Sequence, residues 1–499
     1  MIASPTVMIE DLAPAQLVTR CRAALGEGAR MQFMYAWFPE EAMAPELRYV
    51  LHPGRGRPPH IWRCHPGEAP PPSLAMIAPL LSWYERETTD LCGVVFRDQP
   101  LPQPLVLLPG ASAERPPLVP GPTPHLSYTP SPQDLPQLGG TAPEAVQLLP
   151  FGPIRADVME SAQFAFLYAG ETILHYHPQL FFKHRGMEQR FQGLSPLLGA
   201  VLAERVSGIG SVAHALAYCH AVEAAADCEP PRRSTWLRVL LAELERIYNH
   251  LHYLGHLCHT TTLKVGEAQG KYLEEFAKQM NCRVSGSRLL RGLVTPGGLR
   301  REPQLASLVA DLTRLESEFQ RYADRLAATT SHRDRLMTTG VLGRQLAFDQ
   351  GATGPVERAS GLDHDPRRDQ PYGAYAELPV SVAVGTSCDA YARQQVRIAE
   401  VLNSIAVIRA VLAGLPDGRL RNECRPPPRS EGLGWAETPR GTAYYAVHLD
   451  ADGRLARVKI KSPSFSNWRV FPYTVHDSNM MDYAINEASF GLTVAGCAR

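Results

Sequence analysis

The 44 prolines of this 499-residue chain are unevenly spread. Between Pro100 and Pro150 one falls every few residues, with Gly121, Gly139 and Gly140 among them. Proline fixes φ and removes a backbone donor, so neither regular helix nor a central strand is expected there. The spacing predicts a proline-rich linker over 99–150, running extended across the surface between a small module at 1–98 and a large one at 151–499.

The small module mixes a helical opening, Pro14 to Leu25, with apolar strand-like runs at Met31–Phe38 and Gly93–Phe96, and reads as a small α/β or α+β unit. The large module opens with β-prone segments, Phe164–Tyr168 and Thr172–Tyr176, and then becomes strongly helical. Ser234 is placed to cap a helix in which Leu237, Leu240, Leu241, Leu244, Tyr248, Leu251 and Cys258 recur with three–four spacing. Further helices are predicted over Leu305–Leu326 and Tyr391–Leu412. Past Pro426–Pro428, the segments Ala443–Leu449 and Leu455–Ile460 flank Asp450–Gly453 and read as a hairpin. The fold class that follows is α+β: a large, mostly helical domain with β subdomains, preceded by a small α/β domain.

Charge excludes some functions. Fifty Lys and Arg balance fifty Asp and Glu, which gives no long-range pull on nucleic acid. No apolar run reaches the length of a membrane span, and the N-terminus lacks the pattern of a secretory signal, so a cytoplasmic location is expected. Ten cysteines lie scattered without a single Cys-x-x-Cys, so iron–sulfur and structural zinc spacings are absent.

Several clusters carry candidate chemistry. His252, His256 and His259 share one helical face near His250, a spacing that suits zinc or an interface stripe of polar side chains; no Glu completes a His-Glu-x-x-His motif. Lys183, His184, Arg185 and Glu188 crowd behind Phe181 and Phe182, either lining a buried polar site or forming a satisfied ion-pair network. The glycines of Glu204–His214 permit close approach of another segment but make no phosphate loop. The turn Glu437-Thr-Pro-Arg-Gly441 offers Arg440, and the last segment runs Ser489 to Arg499.

Taken together these segments resemble one family: the large subunits of membrane-bound, energy-converting NiFe hydrogenases and the related quinone-site subunit of respiratory complex I. The resemblance rests on Gly152-Pro153, Lys183-His-Arg-Gly-Met-Glu188, Glu204-Arg205, Arg238 through Glu245-Arg246, Asn249-His250-Leu251, Gly286 and Gly297-Gly298. It continues in Gly354-Pro-Val-Glu-Arg-Ala-Ser-Gly361, Arg367-Arg-Asp-Gln-Pro-Tyr372, Pro439-Arg-Gly441 and Pro463-Ser-Phe-Ser-Asn-Trp468. Glu85 to Phe96 is similar to the signature of complex I's small peripheral-arm subunit, which is fused to the larger one in some members of both families.

The departures are specific. In the hydrogenases two Cys-x-x-Cys pairs hold nickel and iron through soft thiolates. The first falls here on Ser207 and Gly210, and the second on Thr493 and Gly496; Cys497 is one residue out of register. In the complex I branch a His near the start of the module and a Tyr in the Glu204–His214 segment hydrogen-bond quinone. The start, Gly152–Glu160, has no His, and the tyrosine's position falls near Gly208. The chain also stops at Arg499, without the removable tail of hydrogenase precursors.

The resemblance therefore implies an NADH:quinone oxidoreductase-like or hydrogenase-like electron-transport subunit without a NiFe centre and with no cofactor of its own. It would be peripheral to the cytoplasmic face of the inner membrane and couple electron transfer to ion translocation. It would pack against a small subunit that holds a [4Fe–4S] cluster, with a ferredoxin-like subunit and antiporter-like and channel-like membrane subunits as partners. Arg440 and Arg185 would supply positive charge to a redox pocket, His214 and His184 proton transfer, and Glu188 a proton path. The alternative is a non-catalytic scaffold or conformational coupler of the same assembly.

Overall fold

A computed structural model describes residues 7–39, 44–108, 110–122, 124–129, 145–155 and 160–499. Part of the linker, 130–144, and part of the Gly152–Glu160 segment, 156–159, lie outside the described residues.

The N-terminal module is a four-stranded sheet built from β1 (Met8–Asp11), β2 (Arg30–Trp37), β3 (Glu46–His52) and β4 (His60–Cys64), with helix α1 (Leu17–Gly26) and helix α2 (Ser82–Cys92) packed against it. The strand order is β1-β4-β3-β2, with β1 parallel to β4 and the other pairs antiparallel. On α1 the buried side chains are Leu17, Cys21 and Ala24, the i, i+4, i+7 stripe of a helix with one wet face. Gly93–Phe96 is not a strand. Gly93 ends α2 in the left-handed conformation that suits glycine at a helix C-terminus, and the chain continues irregularly to Arg97, which bridges Pro72. The apolar run is a helix exit packed into the core, which periodicity alone does not separate from a buried strand.

The proline-rich stretch is fastened where it begins. The Asp90 carboxylate accepts the backbone N–H groups of Leu105, Val106 and Leu107, and Val106 and Leu118 are buried. At its far end Val146–Phe151 forms β5, which pairs with β6 (Gln163–Ala169) and through it with β7 (Thr172–Gln179) in an antiparallel sheet.

The large module centres on α3 (Ser211–Ala225), α4 (Arg232–Thr260), α5 (Lys264–Ser285), α6 (Leu308–Ala328) and α7 (Ala390–Gly414). The predicted stripe of α4 is fully inside, including Leu237, Leu240, Leu244, Leu251 and Cys258. Ser234, however, does not cap it. The helix starts after Pro231, and the Ser234 hydroxyl donates back to the Pro231 carbonyl at 2.8 Å; the N–H-free proline already sets the turn. Asp389 does cap α7, accepting from Ala392 N–H.

The C-terminal sheet joins β8 (Glu431–Thr438), β9 (Gly441–Leu449) and β10 (Leu455–Lys461) antiparallel. Helix α3 lies directly on β8 because Gly432 and Gly434 leave room: a Cβ at either position would collide with the carbonyls of Ala221 and Ala217. That close approach sets the height at which the start of α3 meets the C-terminal segment.

The two modules share one hydrophobic core. Buried polar contacts stitch the seam: Tyr35 with His448 at 3.0 Å, His52 with Tyr444 at 2.7 Å and Lys459 with Glu87 at 2.6 Å. No helix among the described residues is long and apolar enough to cross a membrane.

Candidate functional site

The turn Arg205–Gly210, leading into α3, and the short terminal helix Val494–Ala498 come together although almost the whole large module separates them in sequence. Arg185 joins them. Its guanidinium donates to the carbonyls of Arg205 (3.1 Å) and Val206 (2.6 Å) on one side and of Ala495 (3.0 Å) on the other, while its backbone N–H donates to Arg499 O at 2.9 Å. His184 adds a bond between Nδ1 and the Ala498 carbonyl at 2.6 Å.

Arg440 ties the same two segments from another side. Its Nε donates to Gly491 O at 2.7 Å, and its terminal nitrogen donates to Asn249 Oδ1 at 2.6 Å. Asn249 in turn donates to the Ile209 carbonyl at 2.7 Å. Burial and the nearby Arg397 lower the Arg440 pKa to about 10, so the side chain stays cationic.

His214, one turn into α3, is buried and shares a 2.9 Å hydrogen bond between Nδ1 and the Tyr445 hydroxyl. Burial, with Arg185 and Arg440 adding repulsion, pushes it down to about 3, so it is a neutral imidazole at physiological pH. Glu188 stands apart. It accepts from Arg457 (2.7 Å), Lys459 (3.1 Å), Arg499 (3.4 Å) and the Ile460 N–H (3.1 Å), facing Glu87 of α2. Its cations outweigh the cost of burial and hold its pKa far below the usual carboxylate range. The structure thus brings Arg185, Arg440, His214 and His184 to the two segments and places Glu188 in a satisfied ion-pair network behind them.

Ser207 and Gly210 face His214: a Cβ at Gly210 would sit 3.2 Å from the imidazole and 3.6 Å from Ser207 Oγ. In the terminal segment Thr493 Oγ1 is committed as a helix cap, accepting from Gly496 N–H at 3.2 Å and touching Ser464 Oγ at 3.2 Å. A Cβ at Gly496 would collide with that hydroxyl. These four positions carry two hydroxyls and two bare backbone sites. That donor set does not fit a nickel–iron centre, which needs soft thiolates. The Cys497 thiol is buried and pushed up by desolvation.

Further groups hold these segments in place. Glu245 of α4 caps α3, accepting the N–H groups of Val212 (2.6 Å) and Ala213 (3.0 Å), and burial raises it to about 7. Glu160 accepts from Val494 and Ala495 N–H, fixing the terminal helix. Beneath Arg440 lies a buried charge cluster. Arg358 meets Glu400 at 2.8 Å and Glu437 at 3.1 Å, Arg367 meets Asp365 at 2.7 Å and Glu243 at 3.2 Å, and His250 meets Glu400 at 2.8 Å. Arg246 donates to the carbonyls of Glu437 and Thr438, locking the turn that presents Arg440. The resemblance marked Arg246, Arg358 and Arg367, the candidate clusters held His250 and Glu437, and nothing marked Asp365 or Glu400; their burial is a tertiary property.

The histidines of α4 form the exposed stripe rather than a chelate. The His252, His256 and His259 rings stack 6.3 and 6.1 Å apart, and His252 and His259 pair with Glu274 and Glu267. Among the described residues no group of three or more His, Cys, Asp or Glu converges to hold a metal ion.

Comparison with known proteins identifies the family. Residues 273–430 and 421–499 match the family described as the respiratory-chain NADH dehydrogenase 49 Kd subunit, 185–284 match nickel-dependent hydrogenase, and 60–119 match the respiratory-chain NADH dehydrogenase 30 Kd subunit. Formate hydrogenlyase subunit 5 of Escherichia coli K12 is 30% identical over 427 residues, covering 82% of this chain and 74% of the relative. Hydrogenase-4 component G of the same organism is 28% identical, covering 82% and 72%. The C/D polypeptide of the NADH-quinone oxidoreductase of Rhodopseudomonas palustris BisB5 is 28% identical, covering 79% and 76%. The chain belongs to the family of complex I 49 Kd subunits and nickel-dependent hydrogenase large subunits, preceded by a segment of the 30 Kd subunit type.

Proposed function

We propose that this chain is the large subunit of a membrane-bound, complex I-like and hydrogenase-like oxidoreductase assembly that couples electron transfer to ion translocation, and that it works without a NiFe centre. It forms the wall of a redox pocket beside a partner subunit that holds a [4Fe–4S] cluster, on the cytoplasmic face. A ferredoxin-like subunit and antiporter-like and channel-like membrane subunits complete the assembly. The observation that carries this reading is that Arg185 bridges the segment of Ser207 and Gly210 to the segment of Thr493 and Gly496, the four positions where the resemblance expects thiolates. Arg185 and Arg440 clamp both segments, and Ser, Gly, Thr and Gly stand at the thiolate positions.

The chain's own contribution is electrostatic. Two guanidiniums and a neutral His214 set a positive potential at the gap between the segments, stabilising negative charge that arrives there. His214 in its neutral form carries one ring proton and is held by its hydrogen bond with the Tyr445 hydroxyl. Glu188, permanently ionised, holds Arg457, Lys459 and Arg499 and orders the terminal segment.

One observation favours the scaffold reading: Arg185, Arg440 and Glu188 each have several partners within the chain, as members of a purely structural network would. The purified assembly separates the two. With Arg440→Met, loss of electron transfer with all subunits retained supports the redox pocket, whereas normal turnover supports the scaffold. Stoichiometric nickel by elemental analysis of the unmodified assembly overturns the metal-free reading.

A further inference from the structure

Cys228 follows the C-terminal end of α3, its N–H donating to Glu223 O at 2.9 Å. Cys424 belongs to the segment that leads from α7 to β8. The two are far apart in the chain, yet Cys228 Sγ lies 3.5 Å from the carbonyl of Glu423, the residue next to Cys424, and the two thiols perturb each other's ionisation. The surroundings are already rigid. Leu299 and Asn422 donate backbone bonds to Leu420 and Gly297 at 2.9 Å each, Asn422 donates to Glu229 O at 2.7 Å, and Glu223 accepts from Gly297 N–H at 2.7 Å. Neither sulfur is sealed in the core: both residues are partly exposed, and Cys228 lines a cavity of about 340 Å³ with Tyr35, Arg48, Glu431 and His448.

We propose that Cys228 and Cys424 are a reversible redox pair, a modification site oxidised by a peroxide to a disulfide that staples the end of α3 to the segment before β8. The pair is asymmetric. Burial raises both thiols, and Cys228 is the one that lines the cavity a peroxide can enter. Cys228 is therefore the attacking sulfur. Its thiolate takes one oxygen from hydrogen peroxide to give a sulfenic acid and hydroxide, which is protonated to water. The Cys424 sulfur then attacks the sulfenic sulfur, its proton leaving with the hydroxyl as a second water. The peroxide gains two electrons and the pair loses two. With Cys228 Sγ against the residue next to Cys424, bond formation needs little backbone movement, and closing so long a loop stabilises the folded chain.

The test exposes the full chain to a small excess of hydrogen peroxide, followed by alkylation and peptide mass analysis. The expected result is a linked peptide pair carrying Cys228 and Cys424, released by dithiothreitol, with a higher melting temperature in the oxidised form. Cys282, exposed on α5, reports whether oxidant was delivered. In Cys424→Ser, Cys228 should instead stop at a sulfenic acid captured by dimedone. Oxidation of Cys282 while Cys228 and Cys424 both remain alkylatable overturns the proposal, as does a Cys424→Ser chain in which Cys228 gives no dimedone adduct.

Discussion

Arg440 donates to Asn249 Oδ1 at 2.6 Å while Asn249 donates to Ile209 O at 2.7 Å, so one amide relays the C-terminal β turn to the start of α3. Arg440→Met removes the cation and leaves the Asn249 oxygen and the Gly491 carbonyl without this donor. Charge-assisted bonds of this kind contribute roughly 1.5–3 kcal/mol each, and a melting temperature lowered by several degrees is expected. Turnover of the assembly should fall at least tenfold. Arg440→Lys should fail to restore it, because an ammonium on a flexible stem does not span both acceptors as the planar fork does. Recovery with Lys would show that charge alone suffices.

Glu245 makes the start of α3 sensitive to pH. Its folded pKa of about 7 lies above the ordinary carboxylate value of 4.5. Between those values the unfolded chain has released the proton and the folded chain keeps it, so this group's contribution to stability declines as pH rises and is constant above 7. Glu85, also pushed up to about 7 by burial, acts in the same direction. His250 and His332, both lowered to about 4, act oppositely below 6.5. The Glu245 share is isolated by difference. From pH 5 to 7.5 the stability of the unmodified chain relative to Glu245→Gln should fall by roughly 2–3 kcal/mol, the span of two pKa units. A difference that does not change with pH would mean that Glu245 is ionised throughout.

Glu87, on α2, binds Lys459 at 2.6 Å and also meets Arg499, joining the N-terminal module to the C-terminal sheet. Removing one partner of a buried ion pair leaves uncompensated charge, at about 3–5 kcal/mol. Glu87→Ala should therefore lower the melting temperature strongly. Because the modules share one core, the signals of Trp62 in the first and Trp468 in the second should shift together. Two separated transitions would show that the modules are energetically independent.

What the sequence disclosed follows from which physics is local. The three–four stripe of α4, the β9–β10 hairpin around Asp450–Gly453 and the helix over Tyr391–Leu412 rest on periodicity and turn chemistry, and all three are present. Ser234 and Gly93–Phe96 depart from expectation because proline geometry and helix exit override residue preference at boundaries. The buried charges Glu243, Arg246, Arg358, Asp365, Arg367, Glu400 and Glu437 come from five separate elements, and their burial together is set only by the tertiary fold. For the site, the resemblance located the two segments that meet. That Arg185 and Asn249 hold them together emerges only from their tertiary positions.

Thr493 and Gly496 give the clearest test of why thiolates cannot simply be returned. The Thr493 hydroxyl caps the terminal helix by accepting the Gly496 N–H, and a Cβ at 496 would run into it. Gly496→Cys should thus cost more than Thr493→Ala, which loses a cap at about 1 kcal/mol. In the double variant the collision is gone, so its cost should be less than the sum of the single costs, a coupling of about 1 kcal/mol readable by thermal unfolding. Cysteines placed at 207, 210, 493 and 496 together should still give no hydrogen uptake, because four thiols supply ligands but not an assembled metal centre. Elemental analysis should find no stoichiometric nickel in that variant. Hydrogen uptake there would show that the cradle around Arg185 and Arg440 has kept everything a NiFe site needs except its sulfurs.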